Sequence, residues 1–361
     1  MDRITYPAID AFPIATFSYG QNQYSVFSPD HQQILYEALK LRCHAEKELT
    51  DRRYVTSTEL FTQSEGIRVP NGVDRADLVA TPSASRARQA KRKVVALDCE
   101  MVGVRFGTGD GKTCEVSELA QLCAIDVLTG EVLIDVLVQP PQKVSNWRTR
   151  YSGLNPAAMR SARNAGRMLW GWHSARAALL KHIDAGTVLV GHDLQSDLFM
   201  LRLAHGLVVD TAIQTAEAVF GRRPLRQQQR QEEGEGSNKK TCYNNRIWGL
   251  KVLCKDLLGM NIQVGRKGHD CVEDTLATRE LALWCLCNQA KLAAWAQDMR
   301  ELLERQRIER ERKQEEEKKK KREEEKKKHE EEEKKRQQQQ EQDGSREGAR
   351  ESAQGGACLV I

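Results

Sequence analysis

The sequence predicts an α/β protein: a mixed β-sheet with an antiparallel half and a parallel half, flanked by helices, between a helical N-terminal region and a charged helical tail. Two observations carry this. From Val94 onward, three strand-like runs succeed one another before any strong helical signal. After them the pattern alternates between helix and strand, which is how a parallel half-sheet with covering helices is written. At 361 residues the chain has room for one good-sized core with flanking segments, or for two or three domains.

Residues 1–62 carry one clear helical signal, in which Asp30 can cap a segment with Ile34, Leu35, Ala38, Leu39 and Leu41 at helical spacing. Residues 63–93 turn to Ser, Thr, Pro, Arg and Lys and read as an exposed linker. Its end holds Arg86, Arg88, Lys91, Arg92 and Lys93, a basic cluster suited to nuclear import, to phosphate binding or simply to solvation. The composition changes abruptly at VVALDCEMVGV, an apolar strand interrupted by two carboxylates. Leu119–Asp126 and Glu131–Val138 come next, joined through Leu128, Thr129 and Gly130 as a hairpin.

The alternating half comprises a helix near Ala175–Ile183, a strand over Thr187–Val190, a helix over Leu194–Ala204 and a strand over Leu207–Val209. Residues 222–246 are polar and without period, the signature of a disordered surface insertion. Leu250–Leu258 reads as a helix stopped by Gly259, and a long helix starts near Cys271 and reaches the 290s. The domain closing near residue 290 leads into a charged single helix over 291–336. Between Arg300 and Arg336 lie 17 Lys or Arg and 14 Asp or Glu in 37 residues, with no apolar residue after Ile308, which excludes a coiled-coil seam. Residues 337–361 read as a disordered tail.

Composition excludes several classes. No run approaches the roughly 20 apolar residues of a membrane-spanning helix, and the start lacks a secretory signal, so an intracellular protein is expected. The ten cysteines show no zinc-module spacing and read as small buried hydrophobes. A net charge of +5 from 56 basic and 51 acidic residues does not by itself imply a polyanionic partner.

Three places carry chemistry. In Asp98-Cys99-Glu100, strand alternation puts both carboxylates on one face at the end of the first strand. Crowded carboxylates cost several kcal/mol unless neutralised, so the pair invites a divalent metal. In GHDLQSDL, Asp193 has the position of a helix cap, and Asp197 sits beside an apolar stripe that gives no reason for a carboxylate. In GHDCVEDT, His269 lies five positions before Asp274, too far round a helix to share its face, so the His belongs to the preceding loop. Asp270, Glu273 and Asp274 could otherwise serve only to complement a helix dipole.

The ordered set Asp-x-Glu, a helical Asp after a strand, and His-x4-Asp resembles the DEDDh exonucleases of the ribonuclease H-like fold. ALDCEMVG, RTRYSGLNPAAM, GHDLQSDL, VVDT and IQVGRKGHDCVEDTLATREL narrow the likeness to the Rex-type RNA exonucleases, over about residues 94–288. The resemblance implies that Asp98, Glu100, Asp197 and Asp274 hold metal and that His269 is the general base. It also implies that Met101 lies near the terminal nucleotide, with core packing as its alternative. Arg148, Arg150 and Tyr151 could contact phosphates and a base, or form a plain solvated loop. The departures are the insertion at 222–246, Thr275 in place of a small Ala, and the extra Asp193.

The activity implied by the resemblance is that of a 3′–5′ exoribonuclease releasing nucleoside 5′-monophosphates from single-stranded RNA 3′ ends. Its expected setting is rRNA or other 3′-end maturation, with pre-ribosomal particles as partners, in the nucleus or nucleolus and with the cytoplasm open. Alternatives are a DNA- or poly(A)-directed exonuclease of the same superfamily and a non-catalytic RNA-binding scaffold. Phosphodiester hydrolysis needs charge stabilised on attacking and leaving oxygens, which two Mg²⁺ or Mn²⁺ ions about 3.5–4 Å apart provide. An oxygen-ligand set favours these ions over zinc. The terminal Cys358-Leu359-Val360-Ile361 has the form of a prenylation box, or of a chance match to one.

Overall fold

The computed structural model describes residues 15–61, 68–83, 91–107, 112–221, 249–265 and 268–354, with side chains in the last helix as far as residue 336. The insertion at 222–246, Arg86 and Arg88 of the basic cluster, and Cys358 lie outside the described residues. Two compact units are present, Met1–Gln297 and Asp298–Ile361.

The first elements among the described residues form an antiparallel hairpin, β1 (Ala15–Tyr19) and β2 (Asn22–Val26), turned through Gly20 at a φ of 58°. A purely helical N-terminal region is therefore corrected: a hairpin precedes the helices. Helix α1 (Pro29–Leu41) is capped by Ser28, whose hydroxyl accepts the His31 N–H, and not by Asp30. The reason is Pro29, whose fixed φ suits the first helical position and places Asp30 in the first turn. Leu35, Ala38 and Leu39 are buried, whereas Ile34 and Leu41 are exposed, so the apolar face is narrower than the sequence suggests. Short helices α2 (Glu46–Asp51) and α3 (Ser57–Phe61) and the two-residue strand β3 (Val79–Ala80) complete this region.

The main sheet begins with β4 (Val94–Gly107), β5 (Thr113–Asp126) and β6 (Val132–Gln139), each antiparallel to the next. The turn between β5 and β6 is held by the Asp126 carboxylate, which accepts the N–H groups of Leu128 and Thr129. Strand β7 (Val144–Asn146) pairs with β4, and helices α4 (Thr149–Ser152) and α5 (Pro156–Asn164) lead to β8 (Met168–Trp170). Then come α6 (Gly171–Leu179), β9 (Val188–Gly191), α7 (Gln195–Met200), β10 (Leu203–Ala204), β11 (Val208–Asp210) and α8 (Thr211–Phe220). The strand order is β11-β9-β4-β5-β6-β8, with β4, β9 and β11 parallel. This is the expected mixed sheet, extended by β8, which runs parallel to β6 on the far edge.

Beyond the insertion, α9 (Leu250–Leu253) runs into a wider turn at Cys254–Leu258 that Gly259 ends at a φ of 68°, as its position predicts. Helix α10 (Cys271–Cys287) stops at Asn288, and α11 (Gln289–Gln354) begins anew, so the single long helix expected from residue 271 is two. The helical backbone continues to Gln354, past the limit of 336 set for it, which corrects the start of the expected disordered tail. Gln, Glu, Arg and Ala are strong helix formers and dominate that stretch despite two glycines.

Alternation along β4 decides what meets what. Val95, Leu97 and Cys99 pack with Ala175, Leu179, Leu198 and Phe199 of α6 and α7, while Val94 and Ala96 pack with Leu35, Leu39, Ala282 and Leu283 of α1 and α10. Burying each such Val or Leu is worth about 1.5–3 kcal/mol, and together they fix the register. Asp98 and Glu100 belong by parity to the α10 side. The N-terminal region shares these clusters through Leu49, Tyr54 and Leu78, so it is part of the same core.

In the second unit, the described side chains lie along a solvated helix laced by pairs such as Glu304–Arg307 at 2.6 Å, Arg307–Glu311 at 2.9 Å and Glu317–Lys321 at 3.2 Å. Pairs of this kind add a few tenths of a kcal/mol each and are screened by salt. A peptide of residues 298–336 is expected to be largely helical at low salt and to lose a substantial part of that helicity in 1 M NaCl. Circular dichroism checks this; unchanged helicity would assign the helix to intrinsic propensity alone.

Candidate active site

The Asp98/Glu100 pair lies in the middle of β4 and not at its end, because β4 continues as a hairpin arm with β5. On its other side, however, β9 pairs only as far as Ala96 opposite Val190. Both carboxylates therefore stand just past the carboxyl end of the parallel half, where α/β sheets open a crevice. A register shift between Glu100 and Met101 re-aims the strand at that point, as bulges do beside functional sites.

Helix α10 brings Asp274 to this place. Asp270 caps it, accepting the N–H groups of Val272 and Glu273, and Asp274 lies in the first turn. Ligand atoms of Glu100, His269 and Asp274 all lie within 4.8 Å of one another, as do those of Asp98, Glu100 and Cys271. His269 Nδ1 is 3.3 Å from Asp274 Oδ2, although the His sits on the loop before the helix, as its spacing predicts.

Helix α7 brings Asp197 from the opposite face. Its carboxylate is buried, and after burial it is Asp98 that raises it most, with the Cys99 backbone acting in the opposite sense. Asp193 goes elsewhere: at a φ of 57° it donates its N–H to Asp210 Oδ1 at 3.1 Å. Tertiary structure thus separates the two aspartates, placing Asp197 with Asp98 and Asp193 with Asp210.

The electrostatics are those of a site short of positive charge. Burial, then Asp98 and Asp274, push the Glu100 carboxyl up to about 9. Asp98 is raised by burial and by Asp274, and Asp197 is raised well above the carboxylate range by burial and by Asp98. Burial likewise holds the Cys271 thiol in its protonated form, and Cys271 Sγ donates to Asp98 Oδ2 at 3.3 Å. With that thiol neutral, the set is oxygen-rich and fits a hard divalent cation, not zinc.

Several supporting residues have no role assigned to them by the sequence reading. Gln263 Nε2 donates to both Asp274 oxygens at 3.1 and 3.0 Å, which holds that carboxylate in place. Asp210 caps α8, accepts from Asp193 and Leu194 N–H, and receives the Tyr54 hydroxyl in a short bond, so it fixes the turn that launches α7. Tyr19 of the hairpin donates to Asp270 at 3.1 Å. Thr275, fully buried, turns its hydroxyl back onto the Cys271 carbonyl at 2.6 Å, which is how α10 accepts it in place of a small residue.

The segment RTRYSG proves to be the seat of the His loop. His269 N–H donates to the Tyr151 carbonyl at 3.0 Å, and the Tyr151 ring meets the imidazole edge-on at 6.4 Å between centroids. Backbone lies directly on backbone here: a Cβ on Gly268 would come within 2.2 Å of the Thr149 carbonyl oxygen, and one on Gly153 within 2.3 Å of the His269 carbonyl oxygen. Both glycines also have positive φ, 89° and 66°. Of the expected substrate contacts, Tyr151 is 63% exposed beside the site and Arg150 is exposed. Arg148 is already committed, donating to Ser117 at 2.8 Å and pairing with Glu115 at 2.9 Å. Met101 packs partly buried against the core, in keeping with its packing alternative.

Fold and site together define a ribonuclease H-like α/β protein with a four-carboxylate, one-histidine centre of the DEDDh kind. No protein-family model matches the sequence. The chain is 31% identical to RNA exonuclease 4 of Candida glabrata over 234 residues, 62% of this chain and 74% of that protein. It belongs to the Rex-type RNA exonuclease family. It is also 37% identical over 191 residues to the interferon-stimulated 20 kDa exonuclease-like 2 of Mus musculus, matching 52% of this chain and 43% of that one. The chain thus spans less than half the length of that relative. Among solved structures, the Saccharomyces cerevisiae PAN2 pseudoubiquitin-hydrolase-RNase module aligns at a TM-score of 0.44 and 22% identity, covering 68% of this chain and 35% of that one.

Site geometry sets two expected outcomes. Glu100 has an ordinary value of 4.5 and a folded value of about 9, so the unfolded chain ionises first as pH rises and the metal-free protein loses stability progressively between those values. Thermal unfolding should show a melting temperature that falls from pH 5 to pH 8.5, with Mg²⁺ or Mn²⁺ raising it more at pH 8.5 and Glu100→Gln flattening the slope. In a separate measurement, Gly268→Ala should force the His loop off its seat and cut turnover by at least about tenfold, as displaced catalytic groups do, while circular dichroism stays native.

Proposed function

We propose that this chain is a divalent-metal-dependent 3′–5′ exoribonuclease that hydrolyses RNA phosphodiester bonds from the 3′ end and releases nucleoside 5′-monophosphates. The observation that carries the reading is the convergence of Asp98 and Glu100 from β4 with Asp274 from α10 beside a His on a loop, with the buried Asp197 of α7 in electrostatic reach of Asp98. The relatives named as RNA exonucleases support RNA as the substrate.

Asp98, Glu100, Asp197 and Asp274 would hold two Mg²⁺ or Mn²⁺ ions. Bound there, such ions would supply Lewis-acid polarisation of the scissile phosphate and a lowered pKa for the attacking water. Asp274 holds His269 through Nδ1, which leaves Nε2 to take the proton from that water as it attacks phosphorus. The bond from phosphorus to the 3′-oxygen breaks, that oxygen takes a proton from solvent water so that the shortened RNA leaves with a 3′-hydroxyl, and the phosphate departs on the released nucleotide. Gln263 steadies Asp274, and Tyr151 with Gly153 and Gly268 sets the His loop at the distance the proton transfer needs. Tyr151 and Arg150 take the terminal nucleotides. The cellular reading is RNA 3′-end maturation such as that of rRNA, in the nucleus.

The test is incubation of the wild type with 5′-labelled and 3′-labelled single-stranded RNA and DNA, with Mg²⁺, Mn²⁺ or chelator. Stepwise shortening of RNA, 3′ label released first, and silence under chelator are expected. Asp98→Asn and Asp274→Asn should each remove activity while the protein stays folded, since losing a negative charge relieves repulsion in the metal-free site. His269→Ala should slow hydrolysis by about 10²- to 10⁴-fold, the usual worth of a general base. Shortening that survives chelator, or none by the wild type, would overturn the reading.

A further inference from the structure

Charge along the chain is far from even. Residues 136–183 contain no Asp or Glu at all, and eight Lys or Arg, in a protein with 51 acidic residues. In the fold this stretch includes β7, α4, α5, β8 and α6, and it meets the active site where Tyr151 touches His269. Helix α5 follows in the chain. Its buried anchor is Met159, and Arg160 and Arg163, three residues apart, flank it nearer the surface. Arg167 is exposed in the connection to β8, and Trp170, the last residue of that edge strand, is 60% exposed. The Arg163 guanidinium lies 5.4 Å over the Trp170 ring and donates to the neutral Gln139 side chain. Among the described residues, none of Arg150, Arg160, Arg163 and Arg167 is in an ion pair with a carboxylate, in contrast to Arg148.

The exposed Trp170 and the arginines free of acidic partners leave cations and an aromatic ring open to a ligand. Together they are the parts that hold single-stranded nucleic acid: cations along the backbone and an aromatic face for a base. We propose that Arg160, Arg163, Arg167 and Trp170 form a track for the single-stranded RNA lying 5′ of the nucleotide being removed, continuous with Arg150 and Tyr151 at the site. This rests on the exonuclease reading for its polarity. The nine residues of α5 span about 13 Å, so the track is reached only by RNA several nucleotides long. The enzyme therefore grips long single strands more tightly than short ones, by phosphate and stacking contacts that read no sequence.

The test uses the full chain. Binding of a fluorescent 20-nucleotide RNA is measured by anisotropy in the Asp98→Asn protein, with and without Arg160→Gln/Arg163→Gln/Arg167→Gln or Trp170→Ala. The triple change should weaken binding about tenfold or more and lower the salt slope by about 2, at about 0.7 per lost phosphate contact. Trp170→Ala should cost about fivefold or more. In otherwise wild-type protein, the ratio of kcat/KM for the 20-mer to that for a trinucleotide should fall about tenfold in the triple variant. An unchanged salt slope with an unchanged ratio, including equal losses on both lengths, would overturn the track. Loss of 20-mer binding in a protein whose wild type shortens nothing would instead retain the track and remove the exonuclease reading.

Discussion

Asp98, Glu100, Asp197 and Asp274 crowd one another in a site where all but Asp98 are buried, and the packing of the first unit is what holds them there. Each unit of raised pKa represents about 1.4 kcal/mol of opposition to ionisation, so a Glu100 carboxyl pushed to about 9 stands for several kcal/mol of strain in the metal-free site. The packing that offsets it is distributed. One face of β4 is gripped by α6 and α7, the other by α1 and α10, and the two helices that deliver Asp197 and Asp274 are anchored by those same clusters. A cation with oxygen preference is the natural counter-charge for such a centre.

The His loop is governed by a different constraint, close approach of two backbones. Gly153 and Gly268 meet where no side chain fits, and the amide of His269 is tied to Tyr151. Loop position is thereby set by hydrogen bonding and steric contact with α4, while the imidazole remains partly exposed toward the crevice. The base role proposed for His269, which requires accepting a proton and releasing it, is served by both properties: a fixed origin and an open face.

The N-terminal segment, which shows no chemistry of its own, underpins the site from two sides. Tyr19 binds the Asp270 cap at the start of α10, and Ser25 bonds Glu280 further along that helix. The buried Arg279, paired with Glu280, reaches the carbonyls of Ser25 and Val127 and so ties hairpin, helix and sheet together. From the other side, Tyr54 and His44 engage Asp210, whose carboxylate orders the turn into α7.

The sequence by itself determined the residue types of the centre, the mixed sheet and the helix boundaries set by local chemistry, because strand alternation, helix spacing and a terminating Gly259 act over a few residues. It placed His269 on a loop for the same reason. Hairpin β1–β2, the β8 edge and the true cap at Ser28 were hidden, since short strands carry little period and one proline shifts a helix start. Which of Asp193 and Asp197 joins the centre, how Gln263 and Asp210 support it, that Arg148 is spent on Glu115, and that Arg163 lies over an exposed Trp170 were decided only by tertiary structure. Those outcomes depend on contacts between residues far apart in the chain, and no local pattern encodes which distant partner a side chain will meet.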